Sequence, residues 1–447
     1  MLVILVIAQV LSVANANLIA VALPPLSADL GASEVQRQWI VDAYVLVFAA
    51  LLVAGGVLAD RYGRRRALIV GLLLFASGSL ASAVASSPGV LIAARVVQAL
   101  GPPLVLPASL AILTSNVADP LERARAIGYW GAASGFGVAT GPVFGGAIVA
   151  ALGWRWAFGI SVPIALALAV ATVLVIRADV RPSSTARFDV AGALLITGAL
   201  GALVFGLIEG PERGWGAGEV LLAFAASAVA LVVFVVVERR HAAPLVDLAL
   251  VRAPVFATAN LAAATIMFAM LATTVYLSAF LQTFRELSPL ETGLALLPLG
   301  GAVALLAPIS GRLTAHVRPR TLIAAGLLCS AVGALLLSRV HGADGPGDVW
   351  LALLLLGAGA GLALPPTTST AVSAVPKART GMASAIHNAG RQVGATLGVA
   401  ALGSIVVSHA SAGGAAAYAD GLSTALVVTA VLLAAVAAVT LRLIPRR

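Results

Sequence analysis

Three ionisable side chains, Asp42, Arg95 and Arg391, lie inside or at the edge of long apolar stretches of the sequence. Ionisable groups in such stretches are costly to bury and by default mark a proton relay or the path of a polar molecule. Asp42 can take up and release a proton, and a neighbouring arginine would favour its ionised form. Asp42 follows Trp39 by three residues and Arg95 follows Gly89 by six, which predicts depths of roughly 5 Å and roughly 9 Å from the same side. Asp42 and Arg95 are therefore predicted to act in proton coupling. The alternatives are that Asp42 caps a helix at the membrane interface and that Arg95 is only a structural anchor.

Amide side chains accompany these residues in the first part of the chain. Asn15 and Asn17 fall in the middle of the first apolar stretch, and Gln98 follows Arg95 by three residues. Buried amides need hydrogen-bond partners. We therefore expect these side chains to face the protein interior rather than lipid.

A second polar set occurs near the end of the chain. Asn388, Arg391 and Gln392 are spaced at i, i+3 and i+4, which places them on one face of a helix. No acidic residue lies inside the apolar stretches after residue 253, so no carboxylate from this half can balance Arg391 within a membrane. The set is predicted to line a cavity, where solvent or a ligand neutralises the charge; the alternative is a role in helix packing.

The composition defines the kind of protein that must position these side chains. Of 447 residues, 61% are hydrophobic and 10% are charged, and the mean hydropathy is +1.06. Soluble globular chains contain about 25% charged residues, so the composition argues against a soluble enzyme, a disordered protein and a coiled coil. The only cysteine, Cys329, excludes an internal disulfide and a cysteine-based metal cluster.

Apolar stretches recur along the whole chain. Fourteen of them run for at least 17 residues without Asp, Glu, Lys or Arg, which is long enough to cross a bilayer. The fold class is therefore predicted as all-α, a polytopic membrane protein with fourteen transmembrane helices. Alternate loops contain 20 and 5 Lys and Arg residues, which places both termini in the cytoplasm. The net charge of +9 is then an orientation signal and does not indicate nucleic acid. No basic segment precedes the first stretch, so we expect that stretch to remain as a helix.

The short connection over residues 56–66 suggests the domain organisation. It contains Gly56, Asp60, Arg61, Gly63 and Arg64, and its glycines permit a tight hairpin with a positive φ. A loop at 311–320 resembles it eight helices later. Paired halves are typical of transporters. We predict a six-helix half over 1–178, two inserted helices over 179–252 and a second six-helix half over 253–447.

The fifth apolar stretch is rich in glycine. Gly137, Gly141 and Gly145 are spaced by four, and Pro142 and Gly146 lie beside them. Small residues at this spacing let two helices approach closely, and a proline inside a helix removes a backbone donor and is expected to bend it. Ordinary membrane packing is the alternative to a specific function for this face.

These strings together resemble a known family. The 56–66 loop resembles the G-x-L-a-D-r-x-G-r-r signature of the major facilitator superfamily, and Gly141-Pro142-x-x-Gly145-Gly146 resembles the antiporter motif of its drug:proton antiporters. The strings 38–44, 95–98, 153–158 and 381–392 are similar to the fourteen-helix branch of those antiporters. The resemblance covers essentially the whole chain. It implies a bundle of two halves, alternating access and export driven by the proton gradient.

The chain departs from the family pattern at three places, one of which is Ala99, where a Gly usually follows the Gln. Where the family usually has an Asp followed by a Thr in the first helix, this chain has Asn15 and Asn17. A neutral amide cannot carry a proton, so the coupling role is expected to shift to Asp42. Pro102 and Pro103 are predicted to kink the fourth helix.

The resulting expectation is a proton-coupled exporter of lipophilic or amphipathic small molecules, such as drugs or antibiotics. Asp60 and Arg64 would latch the cytoplasmic side against the start of helix thirteen near Gly381. The expected partners are a small-molecule substrate, protons and the lipid bilayer, with no nucleic acid, metal or cofactor, and the chain is expected to act as a monomer in the plasma (bacterial inner) membrane. The alternatives are export of an endogenous metabolite by the same fold and, from another class, a membrane enzyme or a receptor. No catalytic constellation or signalling domain is evident in the sequence, which argues against the last two.

Overall fold

The computed structural model describes residues 1–117, 119–177, 189–240, 246, 248–314, 316–339, 346–375, 380–410 and 414–445. The described residues form helices joined by short connections, with one 3₁₀ turn at Pro346–Val349. The helices are α1 (Leu2–Leu30), α2 (Glu34–Tyr62), α3 (Arg64–Ala83), α4 (Pro88–Ala99), α5 (Pro102–Asn116), α6 (Pro120–Leu152), α7 (Trp154–Gly159), α8 (Ser161–Val175), α9 (Val190–Arg213), α10 (Gly218–Arg240), α11 (Leu248–Arg252), α12 (Pro254–Phe284), α13 (Pro289–Leu313), α14 (Pro319–Leu337), α15 (Trp350–Ser373), α16 (Thr380–Ala410) and α17 (Gly414–Leu443).

Local sequence signals set several of these boundaries. Ser33 caps α2 and Ser288 caps α13, each in a reciprocal capping box with the residue three positions later. The predicted kink in the fourth span is confirmed, because α4 ends at Ala99 and α5 begins at Pro102. A proline at the first helical position fits a new helix start but cannot accept the geometry of a helix interior.

Twelve helices of the described part are long and apolar enough to cross a membrane, or thirteen when the two segments of α1, bent by 44°, count as one span. The all-helical prediction is confirmed. Helix α6 is not among the twelve, although it is 33 residues long and its second part, Gly141–Leu152, is a shorter apolar helix.

The early helices α1–α8 and the late helices α12–α17 form two groups that meet along two seams. In the first seam α6 packs against α13, and in the second α2 packs against α16. Helix α6 also packs closely on α1, while α12 packs on α16 and α15 lies between α13 and α14. Each seam joins an early helix to a late one, so side chains far apart in the sequence meet there.

Helices α9 and α10 lie at the periphery of this bundle. Helix α9 contacts α2 and α16, and α10 packs mainly on α9. Apolar side chains on α10 are open to the surroundings: Leu222 is 70% exposed, Val229 62% and Val232 64%. Such a continuous apolar surface is unfavourable in water and fits contact with lipid.

Candidate functional site

Arg95 on α4 is fully buried in a polar pocket made by three helices. Its Nε donates to the carbonyl oxygen of Ile40 at 3.2 Å, and its Nη1 donates to Asn15 Oδ1 at 3.1 Å and Gln98 Oε1 at 2.7 Å. The guanidinium carbon lies 4.2 Å from the ring centroid of Tyr44. Neutral oxygens and an aromatic face therefore solvate this cation inside the protein.

Asp42 does not pair with Arg95, contrary to one possibility drawn from the sequence. Ile40 and Tyr44, which contact Arg95, are four residues apart on one face of α2, so Asp42 between them points to the other side of the helix. Helix α2 begins at Glu34, so Asp42 lies about 12 Å along it. Asp42 is a fully buried side chain, not an interfacial cap.

The Asp42 side of α2 faces the late helices α12 and α16. The hydroxyl of Tyr276 on α12 donates to the carbonyl oxygen of Val399 on α16 at 2.7 Å. Gln38, one turn before Asp42, lies with Tyr276 against Gly403, where a Cβ atom would meet the amide of Gln38 at 2.8 Å and would clash with the Tyr276 hydroxyl. Asp42 therefore lies at the seam between the two groups of helices.

Neither carboxylate oxygen of Asp42 has a hydrogen-bond partner among the described residues. A buried ionised carboxylate without partners carries a large desolvation cost, and its protonated form carries a much smaller one. The environment of Asp42 thus favours the protonated acid in this arrangement of the helices. Tyr276 was not identified from the sequence, because a tyrosine more than 200 positions away gives no local signal that it lies beside Gln38 at this seam.

A second polar cluster lies between α12, α15 and α16. His387 is fully buried; its Nδ1 lies 3.2 Å from Asn260 Oδ1 and its Nε2 lies 3.1 Å from Thr368 Oγ1. Asn260 donates its amide to a backbone carbonyl, so its oxygen accepts from His387 Nδ1, while the Thr368 hydroxyl also lies within hydrogen-bond distance of the carbonyl oxygen of Leu364. Sequence reasoning assigned no role to His387, although it lies in the string 381–392.

Arg391 lies one helical turn beyond His387 on α16. Its Nη2 lies 3.9 Å from the sulfur of Met267 on α12, and its Nε is buried without a partner. Asn388 donates its amide to the carbonyl oxygen of Ser384, and Gln392 is partly exposed. The structure therefore brings Asn15, Arg95 and Gln98 together in one cluster and places Arg391 with Asn388 and Gln392 on another helix.

The glycine-rich part of α6 packs against two helices at once. Gly137 and Gly145 face α1, where a Cβ atom on Gly145 would lie 2.7 Å from Leu18 Cγ. Gly146 faces α13, where a Cβ atom would clash with the carbonyl oxygen of Pro289; Gly141 and Pro142 are buried between these contacts. The predicted close packing is confirmed for the face of α6 that contacts α1. The face that contacts α13 belongs to the α6–α13 seam.

Replacing Gly146 by Ala is expected to destabilise the α6–α13 seam, because the new methyl group must displace backbone. Overpacking of this kind costs about 1–3 kcal/mol, which should lower the midpoint of thermal unfolding in detergent and slow transport. Gly198→Ala on α9 is the matched control, since a Cβ atom there would meet no atom within 4 Å. Equal unfolding midpoints for the two variants would contradict the close approach.

The 56–66 connection forms the predicted tight hairpin. Gly63 joins α2 to α3 with φ +99°, a conformation that side chains other than hydrogen rarely allow. Arg64 donates to the carbonyl oxygen of Ala111 at 3.3 Å, and Arg61 lies over the ring of Tyr62. A Cβ atom added to Gly56 would lie at ordinary contact distance from the side chain of Pro107. The side chains of Asn17 and Asp60, and the surroundings of Gly381, lie outside the described residues.

Comparisons with known proteins agree on one family. The sequence profile of the Major Facilitator Superfamily matches residues 5–399. The chain is 37% identical over 399 residues to the multidrug resistance protein Stp of Mycobacterium tuberculosis (strain CDC 1551 / Oshkosh), covering 89% of this chain and 74% of that protein. It is also 37% identical over 423 residues to the puromycin resistance protein pur8 of Streptomyces alboniger, covering 93% and 82%.

A solved structure shares the fold. It is that of a bacterial homologue of the human lysosomal transporter Spinster in an inward-facing, unoccupied conformation, with a TM-score of 0.70 and 19% sequence identity. The match covers 98% of this chain and 95% of that one. The similarity of fold extends over both groups of helices.

Proposed function

The chain belongs to the Major Facilitator Superfamily, and we propose that it exports lipophilic or amphipathic small molecules, including drugs or antibiotics, in exchange for protons. It is a multi-pass protein of the cell membrane. Two relatives at 37% identity are named for multidrug resistance and puromycin resistance. Export from the cell is the simplest way in which a membrane transporter gives resistance to such compounds.

The observation that supports proton exchange most directly is the position of Asp42. Its buried carboxylate has no hydrogen-bond partner among the residues that the structure describes, and it lies where α2 meets α12 and α16. When the halves are packed at this seam the carboxyl group is protonated. When the seam opens to water the group ionises and releases its proton, so opening and proton release are linked.

Arg95 then has a positioning role. It holds α2 through the Ile40 carbonyl, α1 through Asn15 and its own helix through Gln98. These contacts fix the face of α2 opposite Asp42 and therefore the direction in which Asp42 points. Proton coupling is assigned to Asp42 and Arg95 together, with Arg95 acting through the position of α2.

The membrane topology proposed for this function has fourteen spans. Two more spans are added to the twelve apolar helices: α1, counted as one bent span, and the 33-residue α6. An even number places both termini on the same side, and the arginine-rich connections place that side in the cytoplasm. The halves 1–178 and 253–447 then enclose a cavity with Asn15, Asn17, Gln98, Asn388, Arg391 and Gln392 among its polar members, and the inserted helices 179–252 lie outside it.

On the cytoplasmic side, Asp60 and Arg64 are proposed to latch the 56–66 hairpin against the start of α16 near Gly381 when the cavity faces outward. Replacing Asp60 by Ala should lower the turnover rate several-fold and leave substrate affinity nearly unchanged, because the latch stabilises one conformation without touching substrate. Transport kinetics in proteoliposomes separate the two quantities. An unchanged turnover rate in this variant would rule out the latch.

The function itself is tested with the purified chain in proteoliposomes that carry a pH-sensitive dye. Addition of a substrate from a panel of dyes and antibiotics should drive proton movement that protein-free liposomes do not show. An imposed proton gradient should likewise drive uphill accumulation of that substrate. Substrate movement that is independent of the proton gradient, or that depends on sodium alone, would contradict proton exchange.

A further inference from the structure

Arg391 differs from Arg95 in how its charge is accommodated. The guanidinium of Arg95 donates to three oxygens and lies over an aromatic ring. Arg391 is partly buried, and among the described residues its side chain has one weak contact, to the sulfur of Met267 at 3.9 Å. Its Nε is buried without a partner in the described part, as is the Nη2 of Arg95. A thioether is a weak acceptor, so Arg391 lacks the three oxygen acceptors that Arg95 has.

No carboxylate among the described residues balances Arg391 either. The ion pairs found among them join Arg37 to Glu34, Arg155 to Asp29 and Arg213 to Glu209 and Glu219, and none includes Arg391. The nearest titratable group on its own helix is His387, whose two ring nitrogens lie beside Asn260 and Thr368. The described part of the late helices thus holds a partly buried cation with no anion beside it.

The charge balance of the interior leads to the same conclusion. Among the described residues Asp42 and Arg95 are fully buried and Arg391 is partly buried, and Asp42 lies apart from Arg95 on α2. The other buried acids, Asp189, Glu209 and Glu238, lie on or beside the peripheral helices α9 and α10. Apart from those, the three side chains carry two positive charges when Asp42 is protonated and one in excess when it is ionised. A cationic substrate would add to this excess, whereas an anionic substrate would offset it.

We propose that Arg391 binds an acidic group of the transported molecule, such as a carboxylate, a sulfonate or an ionised phenol, and that lipophilic acids are the preferred substrate class. The proposal rests on the proposed export function and names its substrate. The planar guanidinium can donate two parallel hydrogen bonds to a carboxylate, and the thioether of Met267 supplies an adaptable apolar contact for the rest of the molecule. Until substrate arrives, water in the cavity would solvate the cation.

The proposal is tested by comparing two probes in proteoliposomes under an imposed proton gradient, 5-carboxyfluorescein as an acid and ethidium as a cation. The unmodified chain should transport carboxyfluorescein in preference to ethidium. Arg391→Gln should raise the KM for carboxyfluorescein at least tenfold and change the KM for ethidium much less, and Arg391→Lys should restore part of the loss for carboxyfluorescein. Arg391→Glu should reverse the preference, so that ethidium moves faster than carboxyfluorescein.

The outcomes separate this proposal from the export function. Transport of ethidium without carboxyfluorescein by the unmodified chain would overturn the acidic substrate class and leave export intact. An equal loss of both probes in Arg391→Gln, in protein that keeps its midpoint of thermal unfolding, would assign Arg391 to helix packing and overturn the proposal. If the unmodified chain moves neither probe and shows no substrate-driven proton flux, the export function fails and the substrate proposal fails with it.

Discussion

Asp42→Asn is expected to reduce substrate-driven proton movement in proteoliposomes to the level of protein-free vesicles. The amide has nearly the shape of the protonated acid, so the packing of α2 against α12 and α16 should be kept. It cannot release a proton when the seam opens. Proton-driven accumulation of substrate should therefore be lost, while exchange of labelled for unlabelled substrate across the membrane, which needs no net proton transfer, should persist.

The matched control for this variant is Glu219→Gln. Glu219 is a carboxylate at the start of α10 with 67% of its side chain exposed, and it pairs with Arg213. Neutralising it removes a negative charge of the same kind without touching the seam, and proton movement should stay at the rate of the unmodified protein. Asp42→Asn protein that retained full proton-coupled export would show that another group carries the proton.

Arg95→Met is expected to cause the largest loss of stability of any single substitution in the early half. Methionine keeps much of the side-chain volume but leaves Asn15 Oδ1 and Gln98 Oε1 without their donor, and the Ile40 carbonyl keeps only its bond within α2. Each buried polar group left unpaired costs about 1–3 kcal/mol, so the free energy of unfolding should fall by about 2 kcal/mol or more. Thermal unfolding in detergent, with and without substrate, measures the change.

An exposed arginine supplies the comparison. Arg155 pairs with Asp29 at 2.7 Å, but about half of each side chain is exposed, 47% and 48%. Ion pairs of this kind contribute about 0–1 kcal/mol, so Arg155→Met should shift the unfolding midpoint much less than Arg95→Met. Comparable shifts for the two variants would mean that the polar pocket around Arg95 contributes little to folding.

Much of the site could be predicted because its signals are local. A charge inside an apolar stretch is visible in the sequence at Asp42, Arg95 and Arg391, whatever the helices do later. The hairpin at Gly63, the break before Pro102 and the close packing of Gly145 follow from backbone freedom, a missing donor and a missing side chain. These properties belong to single residues and their immediate neighbours, so they can be predicted without knowledge of the fold.

What the sequence could not supply is the direction in which each side chain points. Asp42 and Arg95 were placed at similar depth and could have paired, yet Ile40 and Tyr44 occupy the Arg95 side of α2 and leave Asp42 facing the other way. Tyr276, His387 and Thr368 acquired their roles only when α12, α15 and α16 came together.

The sequence by itself determined that this chain is an all-helical membrane protein with few interior charges and a tight hairpin after its second helix. Apolar length, charge placement and glycine positions are read along the chain and need no partner. Only the tertiary structure decided which side chains meet, because helix rotation and the two seams are set by packing between segments hundreds of residues apart. Among the residues that the structure describes, that packing leaves Arg95 solvated by neutral oxygens, Asp42 without a hydrogen-bond partner at a seam, and Arg391 without an ion-pair partner.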